Sequence, residues 1–197
     1  MDDLFRLDGF VADPDRLLHV VREEVRWTQQ MRSRMTASMG IPYNYAGASY
    51  PEAPWHPSVE ALRQRVAAML GFEITNCLMN RYPTGDHSIG WHTDDTDILA
   101  PGTGIAIVSL GATRTLRLRS GTGVDSDPFV YTQVSLEPGS LLVMSQALQH
   151  THKHCIKRES GAGERISLTF RHLTHAPPPV ELPPWGSRST PSRGGGG

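Results

Sequence analysis

From residue 74 onward the sequence is a succession of short β-prone runs separated by Gly, Pro and Asp. About eight runs are candidate strands: 74–82, 88–94, 104–110, 114–120, 129–136, 140–145, 152–157 and 165–173. Strands this short and this numerous, with turn residues between them, are typical of two packed antiparallel sheets. The sequence therefore predicts a β-sandwich or jelly roll over this part of the chain.

Two helices are predicted ahead of these strands. The first spans 13–26, where apolar residues recur at helical spacing after Asp13. The second spans 58–70, with Ser58 as its N-cap and Gly71 at its C-cap position. The stretch between them is rich in Gly, Pro, Tyr and Asn and is predicted as loop with short strands. The expected fold class is mainly β with N-terminal helices.

Length and composition favour one globular domain. The chain has 197 residues, of which 38% are hydrophobic and 20% charged. We expect this domain over 1–174 and a disordered tail over 175–197, because the tail is rich in Pro, Ser and Gly. Neither a run of about 18 apolar residues nor a basic N-terminus occurs, so no membrane span or secretory signal is predicted. Cys77 and Cys155 suggest no disulfide framework, and a cytoplasmic monomer with free thiols is expected.

The charge balance argues against strong binding to duplex phosphates. The formal net charge is −1, whereas proteins that hold a duplex mainly through phosphates usually carry a basic surface. Arg22, Arg26, Arg32 and Arg34 nevertheless fall close together. They form either a phosphate-contacting edge or the solvated face of a helix and its following loop, and the second interpretation is favoured.

His92 and Asp94 are candidate metal ligands. On a strand, side chains alternate between faces, so these two residues point to the same side. Together with a distant histidine they would form a facial triad, which leaves three positions of an octahedral iron open. The pair alone is weak, because it occurs by chance in many chains. The third ligand must come from His150, His152 and His154, and alternation does not choose between them.

The last predicted strand alternates strictly between polar and apolar residues. Its polar residues share one face: Arg165, Ser167, Thr169 and Arg171. This face belongs either to a solvated edge strand or to a pocket for a dicarboxylate, whose ends two arginines would bind through paired hydrogen bonds. The H-x-D pair favours the pocket, to which Asn80 and Tyr82 of a neighbouring strand would contribute.

In order and spacing these motifs resemble the AlkB family of iron(II)/2-oxoglutarate dioxygenases, which have a double-stranded β-helix (jelly roll, cupin-like) fold. The resemblance covers roughly residues 27–173. It rests on Asn80-Arg81-Tyr82, His92-x-Asp94, Leu99-Ala100-Pro101-Gly102, Ser109-Leu110-Gly111, Gly139-Ser140-Leu141-Leu142-Val143-Met144, His154 and Arg165-x-Ser167-x-Thr169-x-Arg171. Such an ordered set is far more specific than any one of its members.

The resemblance implies His92, Asp94 and His154 as the Fe(II) ligands. His154 is chosen over its neighbours because it follows Met144 by ten positions, a spacing similar to that in family members. Fe(II) is thus the expected cofactor, with 2-oxoglutarate and O₂ as co-substrates.

The resemblance also assigns the co-substrate residues. Arg165 is expected on the distal carboxylate of 2-oxoglutarate and Arg171 on the carboxylate at the metal. Asn80 and Tyr82 would hydrogen-bond the same molecule, and Ser167 lies on the same face.

For the substrate, Tyr43 and Tyr45 sit where the family places an aromatic ring that stacks on an extruded base. Ordinary loop packing explains these tyrosines equally well. Nucleobase-demethylating members commonly have an acidic residue two positions after the aspartate ligand. Here that position is Thr96, and Asp95 would replace the missing acid only if the loop shifts.

The implied activity is oxidative demethylation of an N-alkylated nucleobase, preferably in single-stranded nucleic acid, as in DNA dealkylation repair. The segment from Trp27 to Arg34 is short for the hairpin that grips DNA in duplex-repairing members. An oxygenase of small-molecule metabolites is the alternative. A cupin-like binding module that has lost catalysis is a third hypothesis, against which the intact triad and both arginines argue.

Overall fold

The computed structural model describes residues 3–45, 48–121 and 130–177. Within these residues the elements are β1 (Leu4–Leu7), α1 (Pro14–Glu24), β2 (Thr28–Met31), β3 (Arg34–Gly40), α2 (Pro57–Leu70), β4 (Asn76–Tyr82), β5 (Ile89–His92), β6 (Gly104–Gly111), β7 (Arg114–Ser120), β8 (Tyr131–Leu136), β9 (Leu141–Ser145), α3 (Gln146–Thr151), β10 (His152–Ile156) and β11 (Arg165–Arg171). Most of the predicted tail, 178–197, lies outside the described residues, as does Phe129 of the predicted strand 129–136.

The strands form two antiparallel sheets, as the jelly-roll prediction requires. The large sheet has the order β1-β9-β6-β11-β4-β3-β2, and the small sheet has the order β5-β10-β7-β8. One apolar cluster joins the inner faces of both sheets through Ile107, Leu142, Leu116 and Leu118. The predicted fold class, mainly β with N-terminal helices, is confirmed.

The two N-terminal helices cover the outer face of the large sheet. Val21 of α1 and Val59 of α2 are fully buried in the same cluster as Leu168 of β11. Burial of a Val or Leu side chain contributes about 1.5–3 kcal/mol. This layer therefore holds β11 in place from behind, and leaves its other face to the space between the sheets.

The helix ends follow from local capping. α1 begins where it was predicted to begin, and Asp13 is its N-cap, with its side chain accepting a hydrogen bond from the Arg16 N–H. The prediction of Ser58 as the N-cap of α2 was wrong by two residues. His56 takes this position, because its Nδ1 accepts from the Ser58 N–H and Pro57 needs no acceptor. Gly71 closes the helix with a φ of 75°, as predicted.

Three elements differ from the prediction. β1 was not predicted; it is a four-residue edge strand that pairs with the distant β9. The predicted strand 88–94 ends at His92, so Asp94 lies in the following loop. The helix α3 was also missed, and it places His150 on a helix rather than on a strand face shared with His154.

Both cysteines, Cys77 and Cys155, are buried and free. No helix in the described part of the chain has the length and apolarity needed to cross a bilayer.

Candidate active site

A cavity of about 570 Å³ lies between the two sheets. Eleven of the twelve predicted site residues line it: Tyr43, Tyr45, Asn80, Tyr82, His92, Asp94, Asp95, His154, Arg165, Ser167 and Arg171. Thr96 is the exception. Residues far apart in the sequence therefore meet in one concave site, the kind of place where small molecules bind.

The predicted metal ligands converge at one end of this cavity. His92 of β5 and His154 of β10 are directly opposite each other, with ring centroids 4.2 Å apart. Asp94 follows the end of β5, and its Oδ1 lies 3.9 Å from His92 Nε2. One ligand atom from each residue lies within 4.8 Å of the others. Two imidazoles and one carboxylate thus have the composition and proximity of a facial triad.

The carboxylate of this group is held ionised. Asp94 is 7% exposed, and its Oδ2 accepts from Arg171 Nε at 3.0 Å and from Nη2 at 2.6 Å. Burial alone would raise the pKa of Asp94, but the Arg171 guanidinium and then the two imidazoles outweigh it and hold the pKa at about 2. Oδ1 remains on the side of the histidines, where a cation would sit.

The two histidines are placed to present a ring nitrogen to a metal ion. Burial, reinforced by the neighbouring His92 ring, lowers the pKa of His154 to about 4. His92 Nδ1 lies 2.9 Å from the carbonyl oxygen of Gly90, which can only accept, so the proton belongs on Nδ1 and the lone pair on Nε2. Deprotonated ligands are what a metal ion requires.

At the other end of the cavity, Arg165 presents unused donors. It is 1% exposed, and its Nη2 donates to Ser109 Oγ at 3.0 Å. Its Nε and Nη1 are buried without a hydrogen-bond partner among the described residues. The guanidinium lies 5.4 Å from the Tyr82 ring, and burial lowers its pKa. A buried, charged and partly unsatisfied fork is an arrangement that a carboxylate would complete.

The register of β11 explains how these groups reach one cavity. β11 lies between β4 and β6, with Ser167 opposite Asn80 and Arg165 opposite Tyr82. The solvated-edge interpretation is therefore wrong, and the predicted polar face lines the interior cavity. The intervening Leu168 packs against the helices instead.

These residues fit a 2-oxoglutarate-dependent iron centre, and comparison with known proteins agrees. A family model described as the 2OG-Fe(II) oxygenase superfamily matches residues 14–171. The chain belongs to this superfamily. Membership implies Fe(II) as cofactor with 2-oxoglutarate and O₂, and both the donor set of the triad and the unsatisfied fork of Arg165 suit them.

Within the superfamily the similarity is of the AlkB type. Human alpha-ketoglutarate-dependent dioxygenase alkB homolog 3 is 31% identical over 181 residues, covering 83% of this chain and 63% of that protein. Mouse DNA oxidative demethylase ALKBH2 is 33% identical over 181 residues, covering 82% of this chain and 76% of that protein. The chain thus spans less than two thirds of the human relative.

A solved structure supports the fold. The structure of OsALKBH1 matches with a TM-score of 0.67 at 18% identity, covering 87% of this chain and 99% of that one. At this identity the likeness bears on the jelly roll alone.

Arg171 contacts Asp94, one of the three predicted metal ligands. Besides its two hydrogen bonds to Asp94, its guanidinium lies 4.2 Å from the Tyr43 ring centroid. Its Nη1 makes longer contacts, 3.4 Å each, with Asn76 Oδ1 and the Thr169 carbonyl oxygen. The structure thus gives Arg171 a role in fixing Asp94, and its contact with the metal-side carboxylate of 2-oxoglutarate stays a prediction.

The predicted substrate residues divide into two groups. Tyr43 and Tyr45 form a tilted ring pair, 5.4 Å between centroids, and the Tyr43 hydroxyl accepts from the Asp95 N–H at 2.8 Å. Asp95 is exposed and lines the cavity. Thr96 lies outside the lining and its carbonyl accepts from Gln146, so geometry favours Asp95 over Thr96 as the polar group at the entrance.

Sequence reasoning missed Arg34 as a site residue. It is buried in the cavity wall, where its Nε donates to Asn80 Oδ1 at 2.6 Å and its Nη2 to the Tyr45 hydroxyl at 2.5 Å. It had been grouped with surface arginines, of which Arg22 indeed forms ion pairs. Alternation along β3, which places Arg34 on the same face as the buried Thr36, is the pattern that indicates its inward position.

Proposed function

We propose that this chain is an Fe(II)/2-oxoglutarate-dependent dioxygenase that demethylates N-alkylated nucleobases, with single-stranded nucleic acid preferred. The observation that carries the proposal is one cavity holding His92, Asp94 and His154 at one end and the unsatisfied fork of Arg165 at the other. The similarity to relatives whose names describe an oxidative DNA demethylase supports the choice of substrate.

In this proposal His92, Asp94 and His154 hold Fe(II). When bound, Fe(II) with 2-oxoglutarate supplies the O₂-dependent oxidation of a C–H bond, with release of succinate and CO₂. Arg165 binds the distal carboxylate, and Ser167 supports it from the same strand face. Asn80, Tyr82 and Arg171 complete the co-substrate site.

The protein's own contribution is positioning and exclusion of water. Arg171 fixes Oδ2 of Asp94 with two donors, so that Oδ1 keeps a constant direction. Apolar side chains line the rest of the cavity: Leu78, Ile107, Leu116, Leu136 and Ile156. These walls keep water from the reacting carbon. A bound diacid supplies the hydrogen-bond acceptors that the buried Arg165 guanidinium lacks.

The entrance suits a planar base. Tyr43 and Tyr45 offer aromatic surface, and the Asp95 carboxylate at the mouth can accept hydrogen bonds from an exocyclic amino group. The β2–β3 hairpin turns within two residues, which gives little length for entering a duplex. A single-stranded substrate avoids most of the cost of extruding a base. The monomeric state and cytoplasmic location stay predictions.

The test is succinate formation by anaerobically iron-loaded protein that is then given 2-oxoglutarate and O₂. Parallel reactions contain a 1-methyladenine or 3-methylcytosine oligonucleotide, the same oligonucleotide without the methyl group, or no second substrate. Succinate in step with formaldehyde and repaired base supports the proposal. Slow succinate formation that no oligonucleotide accelerates removes nucleic acid as substrate and favours a small-molecule metabolite, and no turnover at all favours a binding module.

Two histidine variants locate the metal. We expect His92→Ala to abolish turnover, because it removes one of three ligands. His152→Ala is the matched control, since His152 lies on β10 two residues before the ligand His154 but does not line the cavity. Loss of turnover in the control with retention in His92→Ala would refute the ligand assignment.

A further inference from the structure

The outer face of the small sheet carries an unusual set of side chains. On β7, Leu116 and Leu118 face the cavity side and are buried, so Arg117 and Arg119 point outward. The neighbouring strands add further cationic and aromatic residues to the same face. We call this set the cationic platform: Trp91, Arg117, Arg119, Tyr131, Lys153 and Lys157.

The platform brings four cationic side chains together on one face: Arg117, Arg119, Lys153 and Lys157. Lys153 is directly opposite Arg119 in the β10–β7 ladder, and like charges in this relation destabilise a sheet. Within the described residues, no carboxylate forms an ion pair with Arg117, Lys153 or Lys157; nearby Glu159 instead faces Arg114 at 3.7 Å. The whole chain has a net charge of −1, yet both of its lysines are here.

Aromatic rings lie among these cations. The Trp91 ring has the Arg119 guanidinium 4.8 Å from its centroid and the Lys157 ammonium 5.4 Å away. The Tyr131 ring lies 6.2 Å from Trp91, and Tyr131 is 59% exposed. Cations interleaved with a half-buried Trp91 ring and an exposed Tyr131 ring are the surface chemistry that binds a single nucleic-acid strand, through phosphates and stacked bases.

The platform is continuous with the active site. Trp91 directly precedes His92 on the edge strand β5, so the outer face with the Trp91 ring and the inner face with His92 meet at this edge of the small sheet, beside the cavity. When the target base of a nucleic-acid strand lies in the cavity beside β5, the neighbouring nucleotides of that strand would therefore reach the platform.

We propose that the cationic platform binds the sugar–phosphate backbone and bases that flank the target base in a single-stranded nucleic acid. This inference rests on the proposed nucleic-acid substrate.

The experiment measures binding of the full chain to a fluorescein-labelled, unmodified oligothymidylate by anisotropy over a series of salt concentrations. The double variant Lys153→Gln, Lys157→Gln should lower the slope of log affinity against log salt by about 1.4, since each phosphate contact on a single strand contributes about 0.7. Its affinity should be weaker at low salt and approach that of the wild type as salt rises. Tyr131→Ala should weaken binding about fivefold or more by loss of stacking.

Arg16→Gln is the matched control, because Arg16 is exposed on α1, behind the large sheet; its slope should equal that of the wild type. Lys153→Gln should not lower the melting temperature, since it removes a repulsion, whereas a structural role would lower it. An unchanged slope in the double variant, or a wild type that binds no oligonucleotide, overturns the inference. Because the probe is not turned over, platform-dependent binding without any demethylation would refute the proposed function and leave the platform standing.

Discussion

Replacement of Arg165 by methionine gives a direct test of the co-substrate site. Arg165 is almost fully buried, and two of its donors, Nε and Nη1, have no partner among the described residues. If 2-oxoglutarate completes this fork, Arg165→Met leaves a buried carboxylate unpaired. Truncation of one partner of a buried, hydrogen-bonded charge pair costs about 2–5 kcal/mol. The Kd of 2-oxoglutarate should therefore rise from roughly thirtyfold to a few thousandfold.

Thermal unfolding reports this change without turnover. With Fe(II) under nitrogen, wild-type protein at a 2-oxoglutarate concentration of about 100 times its Kd gains about 2.7 kcal/mol. For a chain of this size each kcal/mol corresponds to about 2–4 °C, so the melting temperature should rise by about 5–11 °C. Arg165→Met at the same concentration should gain about 3 °C or less, because even the smallest expected loss of affinity leaves the ligand at only about three times its Kd.

The unliganded variant supplies a second readout. Methionine replaces a buried and incompletely paired charge, so Arg165→Met without 2-oxoglutarate should melt no lower than the wild type. Arg81→Met is the control, because Arg81 lies on the adjacent β4 but pairs with Glu164 on the opposite side of the sheet. If 2-oxoglutarate raised the melting temperature of Arg165→Met by as much as it raises that of the wild type, the reasoning would be refuted.

Three further variants test the surroundings of the cavity. Asp94→Ala should abolish metal-dependent stabilisation and destabilise the metal-free protein by about 3–5 kcal/mol, because it leaves the Arg171 charge buried and unpaired; calorimetry measures both effects. Tyr45→Phe should cost about 1–3 kcal/mol in chemical denaturation by removing an acceptor from buried Arg34, and should raise KM for the oligonucleotide more than for 2-oxoglutarate. Gly40→Ala should yield little folded protein by circular dichroism, since Gly40 has a φ of 71° and an added Cβ would overlap a backbone carbonyl oxygen; a wild-type melting curve would contradict this.

The part of the site that could be predicted from the sequence follows from local periodicity. Strict alternation in Arg165–Arg171 fixes which side chains share a face, whatever the rest of the fold. The second half of the prediction, that the polar face is the interior one, needed the His92 and Asp94 pair as a second observation. β11 is a central strand, and the helices cover its apolar face. Its polar face therefore points into the space between the sheets and not into solvent.

Other features depend on contacts that no local pattern contains. Arg34 follows a two-residue turn in a chain with many surface arginines, and its buried position is set by Asn80 and Tyr45, far away in sequence. The helix α3 occupies a single short segment, and Ser145 caps it through the N–H of Leu148, a pattern that also fits a turn. For these residues tertiary contacts decide, and the sequence around them is compatible with several outcomes.

The charges of the cavity explain why its residues look anomalous for a protein core. Three buried guanidiniums, those of Arg34, Arg165 and Arg171, line it, and Asp94 is the one buried carboxylate among the lining residues that the structure describes. Buried charges are costly unless they are compensated, so a surplus of two positive charges is unfavourable in the empty site. The 2-oxoglutarate dianion carries two negative charges, which offset this surplus, and the positive charge of a bound Fe(II) strengthens the attraction. The buried arginines of β11 therefore destabilise the free protein and are compensated in its complex with 2-oxoglutarate. This compensation contributes to the affinity for the co-substrate.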